Sequence, residues 1–226
     1  MVHRVDARGR PVSRVAVGVT VMLLCAPVAT DLLRLGAAAS GAPLPPGWTV
    51  RAVRGVAAPV SRIVDSAGTQ FLRIEGRGTA AWFGRRLALA PAAGARLRWR
   101  WRIPVAPAGA DLRARETDDA AARIFVAFDT PTLFGRAPRT LFYSSGGAEP
   151  EGYTRASFVS GALHVIRIAP PPPGTWADVT VDPVADYVRI FGAAPPRITG
   201  IGVLQDSDQT GSLAVVDLAT LVWTVP

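Results

Sequence analysis

The chain has 226 residues, 49% of them apolar, enough to bury one substantial core, and a formal charge of +8. All 25 basic residues are arginine, four of them (Arg4, Arg8, Arg10, Arg14) precede an apolar run, and beyond residue 39 the count is 20 arginines against 15 acids. That charge invites a nucleic-acid partner only weakly, because the excess beyond residue 39 is mild and no aromatic-basic motif appears, so none is expected. One cysteine and two histidines exclude an internal disulfide and a zinc hydrolase site.

The run Val15 to Ala29 holds only Thr20 as a polar residue and follows the four arginines, which is export-signal architecture. Residues 1–39 are expected to be a signal peptide, with Ala37-Ala38-Ala39 before a cleavage at Ser40, or an uncleaved N-terminal membrane anchor. The run is short for a membrane span. Cys25 follows Leu24, where lipidation favours a small residue. Either way the expected location is periplasmic or extracellular, with membrane contact only through this segment. Residues 40–47, rich in Pro and Gly, read as a spacer, which places the folded domain at 48–226.

From Trp48 onward short apolar segments alternate with Gly, Pro and Asp clusters. The predicted strands are 48–53, 69–75, 79–84, 96–103, 122–129, 139–143, 155–168, 175–181, 198–205 and 213–224. In 96–103, alternation sets Leu97, Trp99, Trp101 and Ile103 on one face and four arginines on the other. The segment Ile124 to Phe128 is apolar on both faces, as a central strand would be. Only 184–191 reads as a helix, with Gly192 as its C-terminal stop. This pattern predicts an all-β fold, an antiparallel two-sheet β-sandwich of the jelly-roll sort with one short helix.

The turn Asp206-Ser-Asp208-Gln-Thr210-Gly211 sets two carboxylates two residues apart. Oxygens of Asp206, Asp208 and Thr210, with Asp217 at the twelfth position, partly match calcium-loop spacing; the simpler reading is a turn whose aspartate accepts backbone N–H groups. Glu116 and Asp118 would share a face of an extended segment, and paired carboxylates serve glycoside hydrolysis. The further acid that such a motif needs would fall at Ala120, Ala121 or Ala122, so an ion-pair network of Asp118 or Asp119 with Arg115 or Arg123 is the plainer expectation. His164, alone in the domain, lacks a Gly-x-Ser-x-Gly partner motif for Ser-His-Asp chemistry. Trp99 and Trp101 read as core, whereas Trp82, Trp176 or Trp223 could stack on a sugar if exposed in a groove.

The elements Leu97-Arg-Trp-Arg-Trp-Arg-Ile103, Ala110-Asp111, Asp118-Asp119, Arg123, Phe128-Asp129, Asp182, Ala185-Asp186-Tyr187, Phe191-Gly192 and Asp206-Ser-Asp208 together resemble a bacterial exported family known as domain of unknown function 3047. The resemblance runs from about Trp48 to Trp223 and implies an exported sandwich, without an activity or catalytic residues. Ser144-Ser145 stands where the pattern expects a tryptophan, and Val181 where it expects an arginine.

These readings lead to a non-catalytic binding domain for a glycan or another envelope component. One alternative is a polysaccharide-active enzyme using Asp111, Glu116, Asp118 and Asp119; another is a structural envelope protein. A shared cluster of Asp118, Asp119, Arg123, Asp182, Asp186, Asp206 and Asp208 is expected at one end of the sandwich, held by arginine or, less simply, by calcium.

Overall fold

The computed structural model describes residues 27–132 and 135–226, and the side chains of 131–137 are outside the description. Two sheets pack into a β-sandwich. Numbered in chain order, the six-stranded sheet contains β1 (Val28–Asp31), β3 (Val60–Ser66), β4 (Thr69–Arg77), β6 (Arg96–Val105), β11 (Ala177–Val181) and β13 (Leu213–Val225). The strand order is β11-β6-β13-β4-β3, with β1 paired to β13. The seven-stranded sheet contains β2 (Thr49–Ala52), β5 (Ala80–Leu89), β7 (Ala120–Thr132), β8 (Gly135–Ser144), β9 (Thr154–Ala156), β10 (Leu163–Arg167) and β12 (Ile198–Asp206). Its order is β2-β5-β12-β7-β8-β10-β9.

The core lies between the sheets and follows the alternation of side chains along each strand. Leu97, Trp99, Trp101 and Ile103 of β6 are buried there against Tyr143, Ile124, Val126, Phe128 and Val203 of the facing sheet. β7 is apolar on both faces because its outer side, at Phe125, belongs to a second apolar cluster with Leu112, Phe142, Val165 and Leu204.

The helix α1 (Pro183–Phe191) starts where Asp182 Oδ1 accepts the Ala185 N–H, at 2.9 Å, and Pro183 opens its first turn. It stops at Gly192, which adopts φ 65° and donates its N–H to the Val188 carbonyl. Tyr187 is its buried anchor, against Phe128 and Phe191.

Four expectations are corrected. First, the sandwich is not wholly antiparallel: β8 and β10 pair in parallel, because the chain leaves β8, forms β9 one place further out and turns back into the slot beside β8. Second, the predicted strand 155–168 is therefore two strands, β9 and β10, separated by the loop 157–162. Third, β3 escaped prediction because Ile63 is its only buried residue, so alternation is faint; it is an edge strand.

The fourth correction moves the domain boundary from Trp48 to Val28. β1 pairs with β13, and Leu32, Leu33 and Leu35 are buried in the main core. Trp48 Nε1 donates to the Leu32 carbonyl at 3.0 Å. Asp31, which broke the apolar run in the sequence, caps the turn after β1 by accepting the N–H groups of Leu33 and Arg34. The 40–47 segment is also not a free spacer: Gly41 donates to the Ile63 carbonyl, Ala42 accepts from the Ile63 N–H, and Ser61 bonds the Pro43 carbonyl, which covers the open edge of β3. The first 26 residues, with most of the predicted export segment and Cys25, lie outside the described residues. No helix among the described residues is long and apolar enough to cross a membrane.

Candidate functional site

The outer face of the seven-stranded sheet carries a groove. One cross-strand row runs Arg51, Trp82, Leu204, Arg123, Ser144 over β2, β5, β12, β7 and β8. The next row runs Thr49, Gly84, Gly202, Phe125, Phe142, Val165. Two glycines side by side are a requirement here. A Cβ on Gly84 would stand 2.7 Å from the Phe125 ring, and one on Gly202 would stand 2.9 Å from it and 2.0 Å from the Phe83 carbonyl. Without them Phe125 could not lie down on the sheet. Lying there, it meets the half-buried Trp82 edge-on, with centroids 5.1 Å apart, while Phe142 supports the same indole at 5.3 Å.

Above this floor is a cavity of about 330 Å³, lined by Trp82, Phe142, Leu204, Val165 and Val53, and walled by the loop carrying Ser157, Phe158 and Val159. Arg155 stacks over the Phe158 ring at 3.8 Å, and Arg115 donates to the Phe158 carbonyl at 2.6 Å, which fixes the loop over the cavity. Val159 at its tip is 81% exposed.

One end of the cavity is charged. Arg123, with a side chain only 6% exposed, donates from Nη1 to Asp206 Oδ2 at 2.7 Å and from Nη2 to Asp118 Oδ1 at 2.8 Å. Arg155 adds a second ion pair to Asp118 at 2.8 Å. Asp119, fully buried, accepts the N–H groups of Gln209 and Thr210 and the Thr210 hydroxyl. The 206–211 turn is thus organised by an aspartate from the start of β7, where the sequence reading had assigned that work to Asp206 or Asp208. Ser207, buried beneath the turn, ties it to Thr79 in both directions. Burial pushes the Asp206 carboxyl up to about 8, neighbouring Asp208 and Asp119 add to the rise, and Arg123 opposes it.

The remaining sequence candidates lie elsewhere. Asp182 caps α1 and pairs with Arg96 at 2.5 Å, so Arg96 supplies the cation that Val181 does not. Asp186 accepts the Tyr143 hydroxyl at 2.9 Å and pairs with Arg189. Tyr143 points into the core, whereas Arg123, opposite neighbouring Ser144, points outward; the sheet therefore separates these two acids from the groove. Asp111 is chelated by Arg113, whose guanidinium holds its carboxyl well below the usual range. Glu116 sits exposed on the 3₁₀ turn Arg115–Thr117, not on an extended segment, so it shares no strand face with Asp118. Asp217 is locked between Arg73 and Arg102 on the other sheet, which removes the twelfth position of the calcium spacing. His164 bonds Thr154 at 2.8 Å, and burial lowers its pKa.

One oxygen each of Asp119, Asp206 and Asp208 lies within 4.8 Å of the others. Calcium takes six to eight oxygens. Asp119 and Thr210 are bonded to each other, and Arg123 already stands beside Asp206, so these residues fit an arginine-neutralised cluster better than a calcium cage. What the groove can do chemically is stack an apolar ring face on Trp82 and bond hydroxyls at the Asp/Arg end. Sequence reading reached Trp82, Arg123 and the acids; it missed Phe125, Phe142, Leu204 and Phe158, whose apolar outward positions look like core in a one-dimensional pattern.

The sequence matches the family described as "Protein of unknown function (DUF3047)" over residues 46–222. No curated protein matches it. Among solved structures, a carbohydrate-binding module of the β-sandwich superfamily is 13% identical with a TM-score of 0.42, over 78% of this chain and 56% of that one. This chain thus spans little more than half of that protein's length. A family 11 xylanase from Neocallimastix patriciarum is 9% identical with a TM-score of 0.45, over 88% of this chain and 100% of that one. The xyloglucanase domain of NopAA from Sinorhizobium fredii, solved with cellobiose, is 11% identical with a TM-score of 0.39, over 79% and 94%. These are likenesses of general shape.

Proposed function

We propose that this chain, which belongs to the DUF3047 family, is an exported glycan-binding domain whose ligand lies in the groove over Trp82. The observation that carries the reading is the half-buried indole on an aromatic floor, beside a charged rim in a cavity of about 330 Å³. A pyranose presents an apolar face to an indole and hydroxyls to carboxylates and guanidiniums, and both kinds of partner converge here. Arg123 and Asp118 brace each other, so the rim is held rigid before a ligand arrives, which reduces the ordering cost of binding. Titration calorimetry with a panel of soluble oligosaccharides tests the reading. Saturable binding is expected for at least one, and silence across neutral, acidic and amino sugars would refute it.

One observation favours catalysis as a second reading. Asp206 lines the cavity and, raised to about 8, holds a proton at neutral pH beside Asp208 and Asp118. A carboxyl with a raised pKa next to other carboxyls is the arrangement of a general acid in glycoside cleavage. The catalytic candidates then become Asp206, Asp208 and Asp118, in place of Asp111 and Glu116. Reducing-sugar release from the bound oligosaccharide, abolished in Asp206→Asn, would support an enzyme; binding without release supports the binding domain. Export rests on the arginine-flanked apolar run of the sequence. Fractionation checks it, and a soluble cytoplasmic chain beginning at Met1 would contradict it.

A further inference from the structure

The groove does not end at Trp82. A second, shallower depression shares Trp82 and Val53 with the cavity and continues to Arg51 and Arg54 at the β2 edge. From β2 to β7 the sheet spans three strand spacings, about 14 Å, longer than a single sugar ring. Charge is distributed unevenly along that line. At the inner end the guanidiniums of Arg123 and Arg155 are taken up by Asp118 and Asp206. At the outer end Arg51 and Arg54 are exposed, and neither forms an ion pair among the described residues. Arg51 lies opposite Trp82 with its guanidinium 5.6 Å from the ring centroid.

We infer that the groove takes an acidic polysaccharide, a chain bearing uronate carboxylates, with a neutral ring face on Trp82 and carboxylates over the arginines of the β2 edge. This rests on the glycan reading above and narrows it. An amino sugar is disfavoured because no unpaired acid stands at that end. At the other end Asp118 and Asp206 are paired with Arg123, which leaves Asp208 as the one lining acid without an ion pair among the described residues and reduces repulsion of an anionic chain. A nucleic acid is disfavoured because it needs a succession of exposed aromatic platforms along a cationic track, whereas Trp82 is the one aromatic side chain that lines the arginine-bearing depression.

The test compares the full chain's affinity for tetragalacturonate with its affinity for the same tetramer after its carboxyls are reduced to alcohols. The readout is the ratio of the two, so a general loss of binding cancels. Exposed charge pairs contribute modestly, so the two arginines should favour the acidic tetramer by about tenfold, falling towards one in the R51A/R54A variant and in strong salt. Equal affinities in the wild type, or a preference that survives in the variant, would overturn the inference while leaving the glycan reading intact. Failure of both tetramers to bind would overturn the two together. Tighter binding of an eight-residue oligothymidylate than of the acidic tetramer would overturn the inference by assigning the arginines to phosphate.

Discussion

Arg123 is buried between two carboxylates, Asp118 and Asp206, on a strand whose neighbouring positions are apolar. A buried pair is weak evidence of net stability, but removing Arg123 strips the Asp118 and Asp206 carboxyls of their shared donor in a poor solvent. Arg123→Ala is therefore expected to cost about 3–5 kcal/mol in chemical denaturation. Arg123→Lys should recover only part of this, because one ammonium cannot bridge two carboxylates as the planar guanidinium does. Asp206 gives a pH signature. Its folded pKa, about 8, lies above the ordinary 3.8, so the folded state holds the proton longer. The stability it contributes is thus full at low pH and is lost as pH rises through that window. Between about pH 5 and about pH 9 the melting temperature of the wild type should fall relative to that of Asp206→Asn, on a scale of about 1.4 kcal/mol per unit of pKa difference. Parallel melting curves for the two across that range would show that Arg123 holds Asp206 ionised.

At the scale of elements, the glycines of β5 and β12 make the groove. Gly202→Ala pushes a methyl into the Phe83 carbonyl and the Phe125 ring, whereas at Gly200 the nearest atom to a Cβ is Ala127 Cβ at 3.5 Å, an ordinary contact. Gly202→Ala should cost about 1–3 kcal/mol or more, as overpacking does, and Gly200→Ala much less; equal effects would mean that Phe125 is not held flat. The N-terminal segment gives the second prediction. A chain starting at Ser40 lacks β1 and the buried Leu32, Leu33 and Leu35. With about 1.5–3 kcal/mol per buried leucine, it should lose most of its stability relative to a chain starting at Pro27. Unchanged melting would restore the boundary read from the sequence.

These two elements also show where sequence reading stopped. The strong alternation of β6 and the Gly192 stop of α1 were legible because each is a local pattern with one physical cause. Leu32 to Leu35 were not, since an apolar run has the same composition whether it leads to a membrane or to a core. The charged end of the groove was half legible: acids clustered near 118 and 206 were visible, but which of them meet depends on β7 and β12 being neighbours. Asp182 and Asp186 looked equivalent to them and fall on the far side of a sheet.

On the scale of the whole molecule, the sandwich has two outer faces and each displays a tryptophan. On the six-stranded sheet, Trp176 packs against Phe71 and is stacked by Arg100 and Arg102, while Asp217 binds Arg73 and Arg102 across the same face. Its partners already occupy one another there. On the seven-stranded sheet Trp82 borders open volume on both sides. The decisive comparison is the affinity of Trp82→Ala and of Trp176→Ala for one and the same bound oligosaccharide, with circular dichroism to confirm that both remain folded. Loss of one stacking residue at about 1.4 kcal/mol or more would weaken binding at least about tenfold in Trp82→Ala, with Trp176→Ala like the wild type. Retained affinity in Trp82→Ala together with loss in Trp176→Ala would place the ligand on the opposite face and contradict the account.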